Sequence, residues 1–78
     1  MKQLPPLDRY TVWRRFAQKA NAAKTAMRID MHNAAQYARE GSYERVRSSI
    51  EAALANLDVA EANETAADKL ADEMETTT

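Results

Sequence analysis

A single glycine, Gly41, divides this chain of 78 residues into two long stretches with helical character. Residues 9–40 and 43–78 contain neither glycine nor proline, and apolar residues recur in both at intervals of three and four. Glycine is favoured in the left-handed conformation that ends a helix, and the next residue, Ser42, is a good helix N-cap. The sequence therefore predicts an all-α fold, in which a turn at residues 41–42 joins two helices as an antiparallel hairpin.

The start of the first helix is predicted from two prolines and an aspartate. Pro5 and Pro6 favour an extended segment over residues 1–7. Asp8 follows as an N-cap whose carboxylate can accept hydrogen bonds from the first free backbone N–H groups. The first helix is accordingly predicted over about residues 9–40.

The second helix is predicted over about residues 43–73. Beyond Ala60 the sequence consists mainly of alanine, threonine and acidic residues, so this helix is expected to fray towards its end. One helical domain is thus expected over residues 8–75, followed by a disordered tail at 76–78.

The hydrophobic fraction of the chain, 45%, overstates how large a core it can form, because sixteen of the hydrophobic residues are alanine. So few larger apolar side chains bury little surface, and the chain has no cysteine for a disulfide. Oligomerisation remains as the source of further stability, and the simplest form is a homodimer that makes a four-helix bundle. The side chains predicted to form the core or the dimer contact are Trp13, Phe16, Met27, Met31, Tyr43, Val46, Ile50, Leu54 and Leu57.

Charge is distributed unevenly along the chain. Residues 1–39 carry eight Lys or Arg against two acidic residues, a balance of +6, and residues 40–78 carry three against ten, a balance of −7. A fold at Gly41 pairs positions equidistant from it, which would bring Lys24 towards Asp58. The opposite charges would then favour one register of the hairpin over others.

No residue pattern indicates catalysis, a metal site or a cofactor. One glycine cannot form a glycine-rich phosphate loop, and the single histidine, His32, has no second histidine for a catalytic or zinc arrangement. The chain has no apolar run of membrane-spanning length and no apolar N-terminal leader. We therefore expect a cytoplasmic protein that is not an enzyme, holds no cofactor and does not enter membranes.

A protein-binding surface is predicted on the outer side of the first helix. Ile29 does not lie on the apolar stripe of this helix, and arginine and polar residues surround it. Arginine beside exposed apolar groups is typical of protein interfaces. The residues predicted to contact a partner are Arg14, Arg15, Arg28, Ile29, His32 and Gln36.

These features predict a small regulatory or adaptor protein that binds and modulates a larger protein, as phage and plasmid accessory proteins do. In outline the helical hairpin resembles the plasmid-copy-number RNA-binding dimers of the Rop family, although no motif of that family matches residue by residue. One alternative is therefore a dimer that binds RNA or DNA through its basic first helix. A structural subunit of a larger assembly is a further alternative.

Overall fold

The computed structural model describes residues 6–76, and these form two long helices packed against each other. Helix α1 spans Pro6–Glu40 and helix α2 spans Tyr43–Thr76. The hairpin measures 55 × 24 × 13 Å, so it is a flat rod one layer of helices thick. The predicted all-helical hairpin is confirmed, and both broad faces of the rod are open.

The outer ends of both helices extend further than the sequence predicts. Helix α1 begins at Pro6, because proline suits the first helical position, where no backbone N–H is needed. The predicted extended segment is therefore wrong at Pro6 and Leu7, and Asp8 lies in the first helical turn instead of capping it. Helix α2 ends at Thr76, three residues beyond its predicted end. Residues 1–5 and 77–78 lie outside the described part of the chain.

The turn at Gly41 is a Schellman motif. Gly41 has a φ of 75°, and its N–H donates to the Ala38 carbonyl at 3.2 Å. The Ser42 N–H donates to the Tyr37 carbonyl at 2.9 Å, so two carbonyls at the end of α1 are bonded within the turn. The Ser42 carbonyl then accepts from the Val46 N–H at 3.0 Å, which is the first helical bond of α2.

The contact between the two helices, which we call the seam, is lined by alanine. Trp13, Phe16, Met27 and Val46 are only half-buried, and no large side chain of the described residues is fully buried. The alanines of α2 recur every seven residues, which is the spacing of an antiparallel coiled coil. Small side chains here let the two backbones approach closely. The buried apolar residues are Ala20, Ala23, Ala34, Ala53, Ala60 and Ala67.

Two polar contacts across the seam define how the helices are aligned. Asn56 Nδ2 donates to Asp30 Oδ2 at 2.8 Å in a half-buried position. Lys24 forms an ion pair with Glu64 rather than with Asp58, which the sequence predicted. The pairing is therefore displaced along α2 by four residues at Asp30–Asn56 and by six at Lys24–Glu64, or about 6–9 Å.

Five of the nine predicted core or dimer residues do not belong to the core of the hairpin. They all have exposed side chains, from 41% for Leu57 to 71% for Tyr43. In the single chain the alanines occupy the positions between the helices, and these larger residues lie beside them. The five residues are Met31, Tyr43, Ile50, Leu54 and Leu57.

Candidate functional site

The Lys24–Glu64 ion pair identifies one broad face of the hairpin. Because it joins α1 to α2, both side chains must lie on the same face. Seven residues make nearly two turns of a helix, so residues at multiples of seven from either one share that face. Met31 lies seven residues after Lys24, and Leu57, Ile50 and Tyr43 lie seven, fourteen and twenty-one before Glu64.

This surface carries most of the exposed large apolar side chains of the described chain. Leu54 lies between Ile50 and Leu57 on the same side of α2 and is 55% exposed. We call the set Met31, Tyr43, Ile50, Leu54 and Leu57 the Leu54 face. It occupies the half of the broad surface nearest the turn, and a groove extends from it towards the open end. The groove is lined by Lys24, Met27, Arg28, Leu57, Ala60, Glu61 and Glu64.

The opposite surface carries two further exposed apolar residues, Ile29 and Val59. Residues two apart in an α-helix point about 160° apart, so Ile29 lies opposite Met31 on α1, and Val59 opposite Leu57 on α2. Ile29 is 56% exposed and Val59 is 47% exposed. The helical repeat places alanines on the same surface. We call Ile29 and Val59, with Ala22, Ala26, Ala55 and Ala62, the Ile29 face.

The six residues predicted to bind a partner are all exposed, but the structure distributes them over both sides of α1. Arg15 and Gln36 lie fourteen residues before and seven after Ile29, so these three share the Ile29 face. Arg28 instead lines the groove that leads to the Leu54 face, and Arg14, fourteen residues earlier, lies on the same side of α1. His32 lies between the two sets.

A shallow polar depression lies beside the Ile29 face near the turn. His32, Asn33, Gln36, Tyr37 and Glu40 line it. The Arg45 guanidinium lies 5.6 Å from the centre of the Tyr37 ring, a cation–π contact that joins the start of α2 to the end of α1. This contact holds the Tyr37 ring at the edge of the depression.

An apolar cleft lies at the open end of the hairpin. The Tyr10 and Trp13 rings are 5.7 Å apart and tilted by 32°, and Ala71, Met74 and Glu75 form the other wall. Tyr10 lies fourteen residues before Lys24, so the cleft opens on the same broad surface as the Leu54 face. Trp13 and Phe16, two of the predicted core or dimer residues, are half-buried here, whereas Tyr10 is exposed.

Neither helix, over the described residues, has an apolar stretch that could cross a bilayer. Within residues 6–76 no group of three or more His, Cys, Asp or Glu side chains is placed to hold a metal ion. Comparison with known proteins gives no information on function. No family model, curated protein or solved structure matches this chain. Functional inference therefore depends on the two faces and their charges.

Sequence reasoning missed Val59 as a surface residue that accompanies Ile29. Val59 lies outside the apolar stripe of α2 and two residues after Leu57, a spacing that already places the two side chains on opposite sides of a helix. That signal was available in the sequence. Its pairing with Ile29 was not, because that pairing depends on how the two helices are aligned.

Proposed function

We propose that this chain is a small cytoplasmic regulatory or adaptor protein, not an enzyme, of the phage- or plasmid-accessory type. It forms a homodimeric four-helix bundle and binds a larger protein. The observation that carries this proposal is where the apolar residues lie: the small ones are inside the hairpin and the large ones are outside. Among the described residues the buried ones are all alanines, while eight larger apolar residues are exposed on the surface.

Self-association is supported by the large surface of the single hairpin. The chain exposes 6389 Å² of accessible surface, whereas a compact monomer of 8.8 kDa exposes about 4,800 Å². Alanines bury little area each, so the hairpin gains little hydrophobic stabilisation from its own seam. A second copy packed on one broad face would bury the larger side chains and complete a bundle.

The Ile29 face is the surface we assign to the larger protein. Its alanines make it flat, and Ile29 and Val59 are the two large apolar groups on it. A helix of the partner could approach such a surface closely and contact both side chains. Arg15 and Gln36 at its margins can form hydrogen bonds with that helix.

The assignment is tested by capturing partners from a bacterial lysate with three immobilised baits. These are the wild-type chain, Ile29→Asp and Gln18→Asp; Gln18 is exposed on the outer side of α1, away from both faces. We expect a protein that the wild type and Gln18→Asp capture and Ile29→Asp loses at least tenfold, because a buried carboxylate is costly at an apolar contact. Equal capture by all three baits, or by none, would contradict the Ile29 face as the binding surface.

A second candidate function is nucleic-acid binding, which the exposed arginines of α1 favour. Arg14, Arg15 and Arg28 all lie on the outside of the hairpin. Binding through them would weaken steeply as salt rises, because phosphate contacts release counterions. Retention on immobilised RNA or DNA at low salt, lost at about 0.2 M salt and in an Arg14→Gln/Arg15→Gln variant, would favour this candidate. No retention at low salt would exclude it.

A further inference from the structure

We infer that the Leu54 face binds the same face of a second copy with the two hairpins parallel and their turns at the same end. Helix α1 of each copy then lies against α2 of the other. The arrangement rests on the dimer proposed above and adds to it the contacting surface and the orientation. Two broad faces related by a twofold axis can meet in two ways. An axis along the helices sets α1 of one copy against α2 of the other, with both turns at the same end. An axis across the helices sets each helix against its own copy, with the turns at opposite ends, and we call this the crossed arrangement.

The sizes of the side chains favour α1 against α2. Near the turn, the broad surface of α2 carries Ile50, Leu54 and Leu57, whereas α1 carries Ala35 and Ala38 beside Met31. In the parallel dimer the large side chains of one copy fit over the small ones of the other. In the crossed arrangement the turns lie at opposite ends, so with the surfaces fully overlapped Ile50, Leu54 and Leu57 would lie against the open-end half of α2 of the other copy. The exposed residues of that half are mainly acidic, so the large apolar side chains would find no apolar partner.

The charges of the same surface favour the same arrangement. Towards the open end, α1 carries Arg14, Lys24 and Arg28, and α2 carries Glu61, Glu64 and Asp68. In the parallel dimer Arg28 of one copy approaches Glu61 of the other, because both residues line the groove beside the Leu54 face. The crossed arrangement, with the surfaces fully overlapped, would instead set Glu64 and Asp68 against the apolar turn half of α2 of the other copy, so these charge pairs would not form.

The available area is sufficient for a stable dimer. A surface 55 Å long and 24 Å wide offers roughly 1,300 Å² per copy, above the ≈ 800 Å² that each partner buries in a typical interface. The Ile29 face is the alternative surface for a second copy. Its two large apolar side chains, Ile29 and Val59, are fewer than the five of the Leu54 face. The Leu54 face is therefore the surface assigned to the second copy.

Disulfide cross-linking tests the orientation, because the chain has no cysteine of its own. Ala35→Cys and Leu54→Cys are prepared as separate proteins, mixed under reducing conditions so that subunits exchange, and then oxidised. A disulfide forms only where two Cβ atoms come within about 4.5 Å. We expect linked dimers in the mixture, up to the statistical limit of half the chains, and none with either variant alone. Light scattering under reducing conditions verifies that each variant still dimerises. If either variant does not, Ala38→Cys and Ile50→Cys are used in place of Ala35→Cys and Leu54→Cys.

Each result is decisive when read beside the wild-type chain. A wild type that stays monomeric at all concentrations in light scattering overturns the dimer itself, and this orientation with it. A dimeric wild type whose Ala35→Cys or Leu54→Cys variant links to itself overturns only the parallel arrangement. A dimeric wild type with no linkage in the mixture of Ala35→Cys and Leu54→Cys, or of the replacement pair, overturns the parallel contact of the two Leu54 faces. Linkage confined to the mixtures supports the assignment.

Discussion

At the scale of single residues, Gly41 determines where the chain turns. Its φ of 75° lies in the left-handed region, where a residue with a Cβ is strained by ~1–2 kcal/mol. A Cβ built on Gly41 would meet no atom within 4 Å, so this strain is the only local cost of a side chain. A substitution at Gly41 therefore measures the cost of the left-handed backbone conformation without a change in packing.

Gly41→Ala should lower the free energy of unfolding by about 1 kcal/mol. Gly41→Asn should lower it less, because asparagine tolerates the left-handed conformation better than alanine does. Urea denaturation of both variants at one protein concentration measures the difference. Equal losses for the two would show that the left-handed conformation is not what limits this position.

The Asp30–Asn56 hydrogen bond is the second residue-scale feature, because it joins the two helices within the alanine-lined seam. Asn56 Nδ2 and Asp30 Oδ2 are 2.8 Å apart and half-buried. A polar pair inside a helical seam disfavours other registers, since sliding the helices would separate the two groups.

A double-mutant cycle with Asp30→Ala, Asn56→Ala and the double variant should give a coupling energy of about 1 kcal/mol. The reason is that either single change leaves a half-buried polar group without its partner. Urea unfolding of the four proteins provides the cycle. Strictly additive losses would mean that the two side chains do not stabilise each other.

At the scale of the helices, the alanine seam sets the separation between α1 and α2. Ala60 is only 4% exposed and lies at the middle of the α2 repeat. A larger side chain there must push the helices apart or adopt a strained rotamer. Ala62, two residues later, is exposed on the Ile29 face and provides a matched position on the same helix.

Ala60→Leu should therefore destabilise the hairpin by about 1–3 kcal/mol, whereas Ala62→Leu should change its stability by less than about 0.5 kcal/mol. The two variants add the same atoms to the same helix, so helix propensity cancels in the comparison. Thermal unfolding followed by circular dichroism measures both. A stabilised Ala60→Leu would mean that the seam contains unfilled space.

The sequence allowed the two helices to be predicted, but not their alignment. Gly41 and the long stretches without glycine or proline were sufficient for the hairpin. The predicted pairing of Lys24 with Asp58 assumed that the helices pair symmetrically about Gly41. The structure pairs Lys24 with Glu64, because the two-residue turn leaves the first turn of α2 to span the space between the helix axes.

The first turn of α2 shows this effect directly. Tyr43, Glu44 and Arg45 are exposed, and Val46 is the first residue of the α2 repeat to lie in the seam. The exposure of Ile50 and Leu57 has a separate cause, which is the side of α2 that faces α1. The apolar stripe of α2 is wide enough for two choices of inner side, and close packing of the helices selects the alanines. Sequence periodicity alone cannot decide between the two.

At the scale of the whole molecule, the two broad faces differ in what they can bind. Leu57 and Val59 are two residues apart on α2 and similarly exposed, at 41% and 47%, yet they lie on opposite faces. Each can be replaced by aspartate with the same change in charge. Leu57→Asp loses about 0.5 kcal/mol more helix propensity than Val59→Asp, which is small beside the loss of an apolar dimer contact. The pair therefore distinguishes the face that binds a second copy from the face that does not.

Leu57→Asp should convert the proposed dimer to a monomer, because it places a carboxylate within an apolar contact in both copies. Val59→Asp should leave the dimer intact. Sedimentation over a hundredfold range of concentration measures the association of each. The melting temperature of the wild type and of Val59→Asp should rise with concentration, whereas that of Leu57→Asp should be lower and constant, because only an associating chain gains stability by mass action. The reverse pattern would assign self-association to the Ile29 face and leave the Leu54 face for the larger protein.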